Sequence, residues 1–150
     1  MIMRERTDVD VVAALPQRAA RLSRLLYRHS TGDVSRTEAG VLSTLSEGRR
    51  RVTELADLEG LAQPTVTVLV GKMEDRGLVS RERDTSDGRV VFVDITDEGR
   101  VALERIRGQY REVLEQRMAS MTGKEVAALR AATETLGALI DTLQQGDGHE

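Results

Sequence analysis

The segment from Arg76 to Gly99, RGLVSRERDTSDGRVVFVDITDEG, limits the possible folds of this chain more than any other segment. Alternating apolar and polar residues predict one strand from Leu78 to Arg83 and a second from Val90 to Ile95. A tight polar turn, residues 84–89, joins them and ends in an arginine. A helix is predicted to end at Arg76-Gly77, and Thr96-Asp97-Glu98-Gly99 to begin the next. The segment therefore predicts an exposed β-hairpin between two helices.

A helix-turn-helix pattern lies directly before this hairpin. Ala56 and Gly60 are four residues apart, and Val66 follows six residues later. The small residue lets a second helix cross closely, the glycine relieves the turn, and apolar residues fix the crossing angle. The spacing also fits an ordinary helical hairpin, but a β-hairpin immediately behind it favours a winged helix. Three leucines complete the apolar set: Leu55, Leu61 and Leu69.

Helices are also predicted before the helix-turn-helix. An apolar stripe predicts a first helix that ends near His29, in which Pro16 either starts the regular part or introduces a kink. Ser35 and Glu38 form a capping box for a second helix, which stops at Glu47-Gly48. The stripe consists of Val12, Leu15, Ala19, Leu22 and Leu26.

The later boundaries follow from similar signals. Arg49-Arg50-Arg51 is predicted to be an exposed connector, and Thr53 to cap a short third helix, Glu54 to Glu59. Pro64 fits the first turn of the fourth helix. A long helix is predicted after the hairpin, and a second capping box at residues 122–125 opens a final helix. The predicted fold class is mostly α, with a small β-hairpin wing.

Composition excludes several kinds of site. The chain has no cysteine, which excludes disulfides, thiol redox sensing and cysteine-ligated zinc. His29 and His149 are the only histidines, so no cofactor or metal is expected. The charged N-terminus and the absence of a long apolar run predict a cytoplasmic protein without a membrane span. The net charge is −3, with most of the excess acid in the C-terminal third.

Candidate DNA contacts lie on the second helix of the helix-turn-helix and on the wing. Short hydroxyl and amide side chains at a helix N-terminus suit phosphate and base-edge contacts in a major groove. Arg89 could enter a narrow minor groove, and Asp87 could orient it. The alternatives are helix capping and a solvated surface ion pair. The full candidate set is Gln63, Thr65, Thr67, Val68, Lys72, Arg81, Arg83, Asp87 and Arg89.

These residues resemble the MarR family of bacterial transcription regulators. The family pattern at the wing is an aspartate, then Asp-x-Arg, an apolar strand and Leu-Thr-x-x-Gly. It is matched by Asp84, Asp87, Arg89 and Ile95-Thr96-Asp97-Glu98-Gly99, with isoleucine in place of leucine. The resemblance covers nearly the whole chain. It implies a homodimer that binds double-stranded DNA, with a winged-helix region at residues 34–98 and dimerisation helices at 1–33 and 99–150.

The helices outside the winged region carry apolar stripes longer than one small core covers. A lone subunit would leave them exposed, which agrees with the implied dimer, whereas a monomer would fold them back on itself. The resemblance also implies repression of a pseudo-palindromic operator and release by a small-molecule effector. Candidate dimer residues are Leu15, Leu22, Leu129, Leu136, Ile140 and Leu143.

A ligand site is less constrained by the sequence. The resemblance implies an aromatic or phenolic effector bound between the dimer helices and the winged region. Packing is the alternative role for both tyrosines, and a surface position for His29. Candidate lining residues are Leu26, Tyr27, His29, Tyr110 and Leu114.

The sequence bears on two other classes of function, a protein–protein contact module and an enzyme. A winged helix can serve protein–protein contact, but the hydroxyl-rich helix start, Lys72 and Arg89 favour DNA. No Ser/His/Asp set, phosphate loop or metal cluster is found in the sequence, so an enzyme is not expected.

Overall fold

A computed structural model describes residues 2–146, with side-chain surroundings for residues 10–145. His149 lies outside the described residues. The chain divides into two compact units, one that extends to Arg111 and one that begins at Glu112. The order of elements is α1 (Ile2–His29), α2 (Arg36–Ser46), β1 (Arg50–Arg51), α3 (Val52–Glu59), α4 (Gln63–Asp75), β2 (Val79–Arg83), β3 (Val91–Ile95), α5 (Asp97–Met118) and α6 (Gly123–Gly146).

The predicted helix boundaries are largely confirmed. Glu38 accepts the backbone N–H of Ser35 at 2.7 Å while the Ser35 hydroxyl accepts that of Glu38 at 3.2 Å, which forms the capping box of α2. The same exchange between Thr122 and Glu125 begins α6. Pro16 lies inside α1, which begins at Ile2, so the prediction that Pro16 starts the regular part of the helix is wrong.

The prediction of an exposed connector at Arg49-Arg50-Arg51 is wrong in its secondary structure, although Arg49 and Arg51 are exposed. Arg50 and Arg51 form the short strand β1, which pairs antiparallel with β3. The sheet therefore has three strands, in the order β1-β3-β2. Two residues are too few to show an alternating pattern in the sequence. Only the pairing of β1 with β3 defines it as a strand.

The predicted cap of the third helix is also wrong. α3 begins at Val52, and its N-cap is Arg51, not Thr53. The Glu54 carboxylate accepts the backbone N–H of Arg51 at 2.7 Å. This hydrogen bond, typical of a capping box, places the N-cap two residues before Thr53.

The buried core belongs to the winged-helix part of the first unit. It draws on α2, α3, α4, the sheet and the first turns of α5. This core is aliphatic and holds the helix-turn-helix and the wing as one packed body. Its fully buried large side chains are Val41, Leu42, Leu45, Leu55, Val66, Val70, Met73, Val79 and Val93.

Candidate nucleic-acid interface

The turn between α3 and α4 sets the angle of the exposed helix face. Gly60 adopts a left-handed conformation, with φ of +63°, and Leu61 donates its N–H to the carbonyl of Ala56 at 2.9 Å. Ala56 is buried, and Val66 and Val70 anchor α4 in the core. The predicted helix-turn-helix is confirmed in these packing relations.

The first turns of α4 present polar side chains to solvent. Its N-cap, Ala62, makes no side-chain cap, so the first backbone N–H groups of α4 have no capping oxygen from that residue. The Thr67 hydroxyl donates to the Gln63 carbonyl at 3.0 Å and keeps its acceptor lone pairs available. Five candidate residues are exposed on this helix: Gln63, Thr65, Thr67, Val68 and Lys72.

The wing turn is ordered by Asp84. Its carboxylate accepts the N–H of Ser86 at 2.7 Å, the Ser86 hydroxyl at 2.5 Å and the N–H of Asp87 at 3.2 Å. These hydrogen bonds, first the one from the Ser86 hydroxyl, lower the pKa of the Asp84 carboxyl. The first aspartate of the wing motif therefore shapes the turn through its local hydrogen bonds.

Asp87 contacts Arg89 as the sequence suggested. Its Oδ1 accepts the backbone N–H of Arg89 at 3.1 Å and the side-chain Nε at 3.2 Å. The Arg89 side chain is 92% exposed, so the pair leaves most of the guanidinium open to solvent. An exposed guanidinium held at its base by a carboxylate can reach outward from the wing.

The wing, α4 and the start of α3 enclose one open groove of about 330 Å³. It brings Gln63 and Thr67 of α4 together with Arg81 and Arg89 of the wing. A helix start with free donors and a cationic wing on one groove is an arrangement that suits a polyanion. The other lining residues are Arg51, Val52, Thr53, Val70, Val90 and Val91.

Two wing arginines are partly engaged within the protein. Arg81 binds Glu74 through its Nε at 2.7 Å and its Nη2 at 2.6 Å. The hydrogen bond from Arg81 lowers the pKa of Glu74. Arg83 donates more weakly to the Gly88 carbonyl, at 3.4 Å. The charge of Arg81 is therefore largely compensated, whereas that of Arg83 is available.

Arg51 is a candidate residue that the sequence does not single out. The sequence indicates phosphate contact only for the run Arg49-Arg50-Arg51 as a whole, whereas in the structure Arg51 lines the groove beside Gln63 and Thr67. Its pairing with Phe92 across the sheet brings it there. No local sequence signal marks this position, because the pairing of Arg51 with Phe92 joins residues that are far apart in the chain.

The candidate dimer residues are incompletely covered within each unit. On α1, Leu22 is 52% exposed and Leu15 is half-buried. On α6, Leu129, Ile140 and Leu143 are 43%, 46% and 62% exposed, and Leu136 is half-buried. No helix of residues 2–146 is long and apolar enough to cross a membrane.

The candidate ligand residues are placed mainly by packing. The Tyr27 hydroxyl donates to the Val34 carbonyl at 3.2 Å, and Tyr110 packs against the core. Burial, and then the neighbouring Tyr27, raises the pKa of Tyr110. His29 is exposed, and Leu26 and Leu114 are half-buried. Both tyrosines therefore have packing contacts within the protein, and their role in a ligand site stays a prediction.

Comparisons with known proteins agree on one family. The model of the MarR family matches residues 34–91. An HTH-type transcriptional regulator of Mycobacterium bovis is 31% identical over 137 residues, which cover 90% of this chain and 96% of that one. An HTH-type transcriptional repressor of Bacillus subtilis, MdtR, is 25% identical over 72% of this chain and 74% of its own. The crystal structure of MarR from E. coli in its apo form superposes with a TM-score of 0.74, at 21% identity, over 84% of this chain and 95% of that one.

Proposed function

The chain belongs to the MarR family of DNA-binding transcriptional regulators and not to a class of enzymes, and we propose that it is a homodimeric repressor of a pseudo-palindromic operator. The carrying observation is the groove that joins the exposed start of α4 to the wing arginine.

The start of α4 is proposed to read the major groove. Gln63 can donate to and accept from a base edge, while Thr65 and Thr67 can bond to bases or phosphates. Val68, 59% exposed, is suited to the methyl group of a thymine. Lys72 lies further along the helix, in its last turn, and suits a phosphate.

The wing is proposed to reach the adjacent minor groove. Arg89 is exposed and held by Asp87, and an arginine is favoured where a narrow minor groove concentrates negative potential. Arg83 is proposed to contact the neighbouring phosphates. Arg81 is the weaker candidate, because Glu74 already binds its guanidinium.

Homodimerisation is supported by the exposed apolar side chains of α1 and α6. Water-exposed leucine and isoleucine at helical spacing are costly in a lone chain, and a second copy would cover them. A two-fold dimer places two winged helices on half-sites about 10 bp apart. The operator is therefore expected to be a pseudo-palindrome.

Repression is supported by the name of the Bacillus subtilis relative, a transcriptional repressor. A dimer that covers a promoter excludes polymerase without any further chemistry. Release by a small-molecule effector would require a compound that binds more tightly to a second conformation of the dimer, in which the spacing of the two wings does not match the operator half-sites. Family resemblance supports this last part, with phenolic compounds as the first class to test.

A binding assay tests the proposal. Fluorescence anisotropy with the duplex upstream of the gene, at low salt, should give sequence-specific binding that an unrelated duplex does not compete. Footprinting should then reveal two protected half-sites about one helical turn apart. Equal binding to any duplex, or no binding, would favour the rival use of the winged helix in protein–protein contact.

A further inference from the structure

Phe92, the single phenylalanine of the chain, lies at the centre of the small sheet. On β3 it is paired with Arg51 of β1 on one side and with Glu82 of β2 on the other. The guanidinium carbon of Arg49 is 4.4 Å from the centroid of its ring, and that of Arg51 is 5.7 Å away. Both distances lie within the range of a cation–π interaction.

Such stacking restricts an otherwise mobile side chain without consuming its hydrogen-bond donors. A guanidinium carries five N–H donors in its plane, and an aromatic face engages none of them. An arginine held in this way is prepared to bind a phosphate with little further loss of side-chain entropy. Phe92 therefore has the geometry of a support for an anion-binding arginine.

Arg51 differs from the two other arginines that line the groove. Arg81 is 2.6 Å from Glu74, and Arg89 is 3.2 Å from Asp87. Among residues 10–145, Arg51 forms no ion pair within 4.0 Å, although Asp84 is close enough to feel its charge. Of the three guanidinium groups in the groove, that of Arg51 is the least compensated.

We propose that Arg51 contacts a phosphate of the bound DNA and that Phe92 is its positioning residue. This inference rests on the proposed function and extends it to a strand that precedes the helix-turn-helix. Arg51 is also the N-cap of α3, so the backbone N–H groups at the start of that helix lie beside the same phosphate position. The wing sheet thus contributes to affinity through its first strand as well as through its tip.

A salt series on the full-length protein tests the phosphate contact. The probes are a duplex selected by the unaltered protein from a random pool and an unrelated duplex. Arg51→Gln removes one phosphate contact from each subunit of the proposed dimer, so it should make the slope of log affinity against log salt shallower by about two and weaken binding to both duplexes by a similar factor. Arg49→Gln, which removes the same charge from the same ring outside the groove, should change the slope by less than half as much.

A double-mutant cycle tests the positioning role. Phe92→Leu should weaken binding several-fold in the unaltered background and have little effect when Arg51 is already glutamine. Phe92→Tyr, which keeps the ring, should retain the original affinity, and thermal unfolding of each variant checks that the sheet is intact. If Phe92→Leu fails to fold, the slope of Arg51→Gln still decides the phosphate contact, and Phe92→Ile, which also lacks a ring but suits a strand, takes the place of Phe92→Leu in the cycle.

The outcomes separate this inference from the proposed function. Specific binding by the unaltered protein with an unchanged slope for Arg51→Gln overturns the inference alone. Equal losses for Phe92→Leu in both backgrounds overturn the positioning role. Absence of specific binding by the unaltered protein overturns both proposals.

Discussion

The carbonyl oxygen of Leu78 occupies the space that a Cβ atom on Gly99 would require. The same carbonyl accepts the backbone N–H of Thr96 at 3.2 Å, and the Thr96 hydroxyl in turn accepts the N–H of Gly99 at 3.0 Å. Thr96 also donates its hydroxyl to the carbonyl of Gly77. The Thr-x-x-Gly motif therefore fixes the start of α5 against the link that follows α4.

Gly99→Ala should destabilise the protein by about 1–3 kcal/mol, because backbone atoms would have to shift to relieve the overlap. The Cγ1 atom of Ile95, 2.9 Å from the position that the added Cβ would take, increases the crowding. Gly108→Ala on the same helix is the matched control, since no described atom outside the neighbouring backbone of the helix lies within 4 Å of an added Cβ there. That control should be neutral or stabilise by up to about 1 kcal/mol. Urea unfolding measures both, and a stable Gly99→Ala would contradict the assigned close approach.

Periodicity and capping predicted most of the fold because those signals are local. The Ser35 and Glu38 box, the left-handed Gly60 and the alternation in β3 each depend on a few neighbouring residues. β1 was missed because Arg50 and Arg51 become a strand only through distant partners, Val93 and Phe92. The N-cap of α3 was missed because Arg51 carries no capping side chain, and only the backbone bond to Glu54 marks it.

The local features of the candidate site were also predictable from the sequence, whereas the contacts between its elements were not. Exposure of the α4 start and the pairing of Asp87 with Arg89 followed from helical spacing and the wing motif. Two contacts between different elements could not be predicted: the ion pair between Arg81 and Glu74, and the position of Arg51 in the groove. Both depend on the packing of the sheet against the helices.

Glu38 joins the cap of α2 to the end of α4. Its side chain is only 9% exposed and receives Nη1 of Arg76 at 2.8 Å, besides the N–H of Ser35. Arg76 also binds Asp33 at 3.0 Å. Desolvation opposes the charge of Arg76, but the hydrogen bonds and charges of Glu38 and Asp33 outweigh it and raise its pKa.

Glu38→Ala should therefore destabilise the protein by about 1–3 kcal/mol, through loss of charged hydrogen bonds. Glu125→Ala removes the equivalent residue from the exposed capping box of α6, where its described partner is Thr122 alone, and should cost less. Thermal or urea unfolding of the two variants side by side gives the comparison. Equal losses would mean that the bond to Arg76 contributes nothing beyond the cap.

Acid titration of Asp84 should detect the hydrogen bonds that stabilise the wing turn. The folded pKa of Asp84 is lowered, so its stabilising contribution is present above the unfolded pKa and is lost as pH falls through the folded one. NMR titration of the Asp84 carboxyl should give a midpoint below its ordinary value of 3.8. Ser86→Ala removes one donor and should move that midpoint upward, whereas an unmoved midpoint would assign the shift to other groups.

Arg89→Ala should weaken operator binding by about 1–3 kcal/mol while leaving the oligomeric state unchanged. The reason is loss of a guanidinium that the wing presents to solvent. Arg100→Ala, an exposed arginine of α5 that does not line the groove, is the charge-matched control. Anisotropy titrations measure the affinities, and an Arg89→Ala protein with the affinity of the control would remove Arg89 from the DNA site.

The double variant Leu136→Asp with Ile140→Asp should convert the proposed dimer into monomers. Both residues lie on α6 at helical spacing, and Ile140 is 46% exposed within its unit, so charges there meet water in a monomer but would be buried in a dimer. Glu134→Ala with Asp141→Ala, on the same helix, serves as a control for changes to exposed residues. Sedimentation velocity measures the species present. A double variant that sediments as a dimer would place the interface elsewhere, and a single species in every sample at the mass of one chain would contradict the dimer itself.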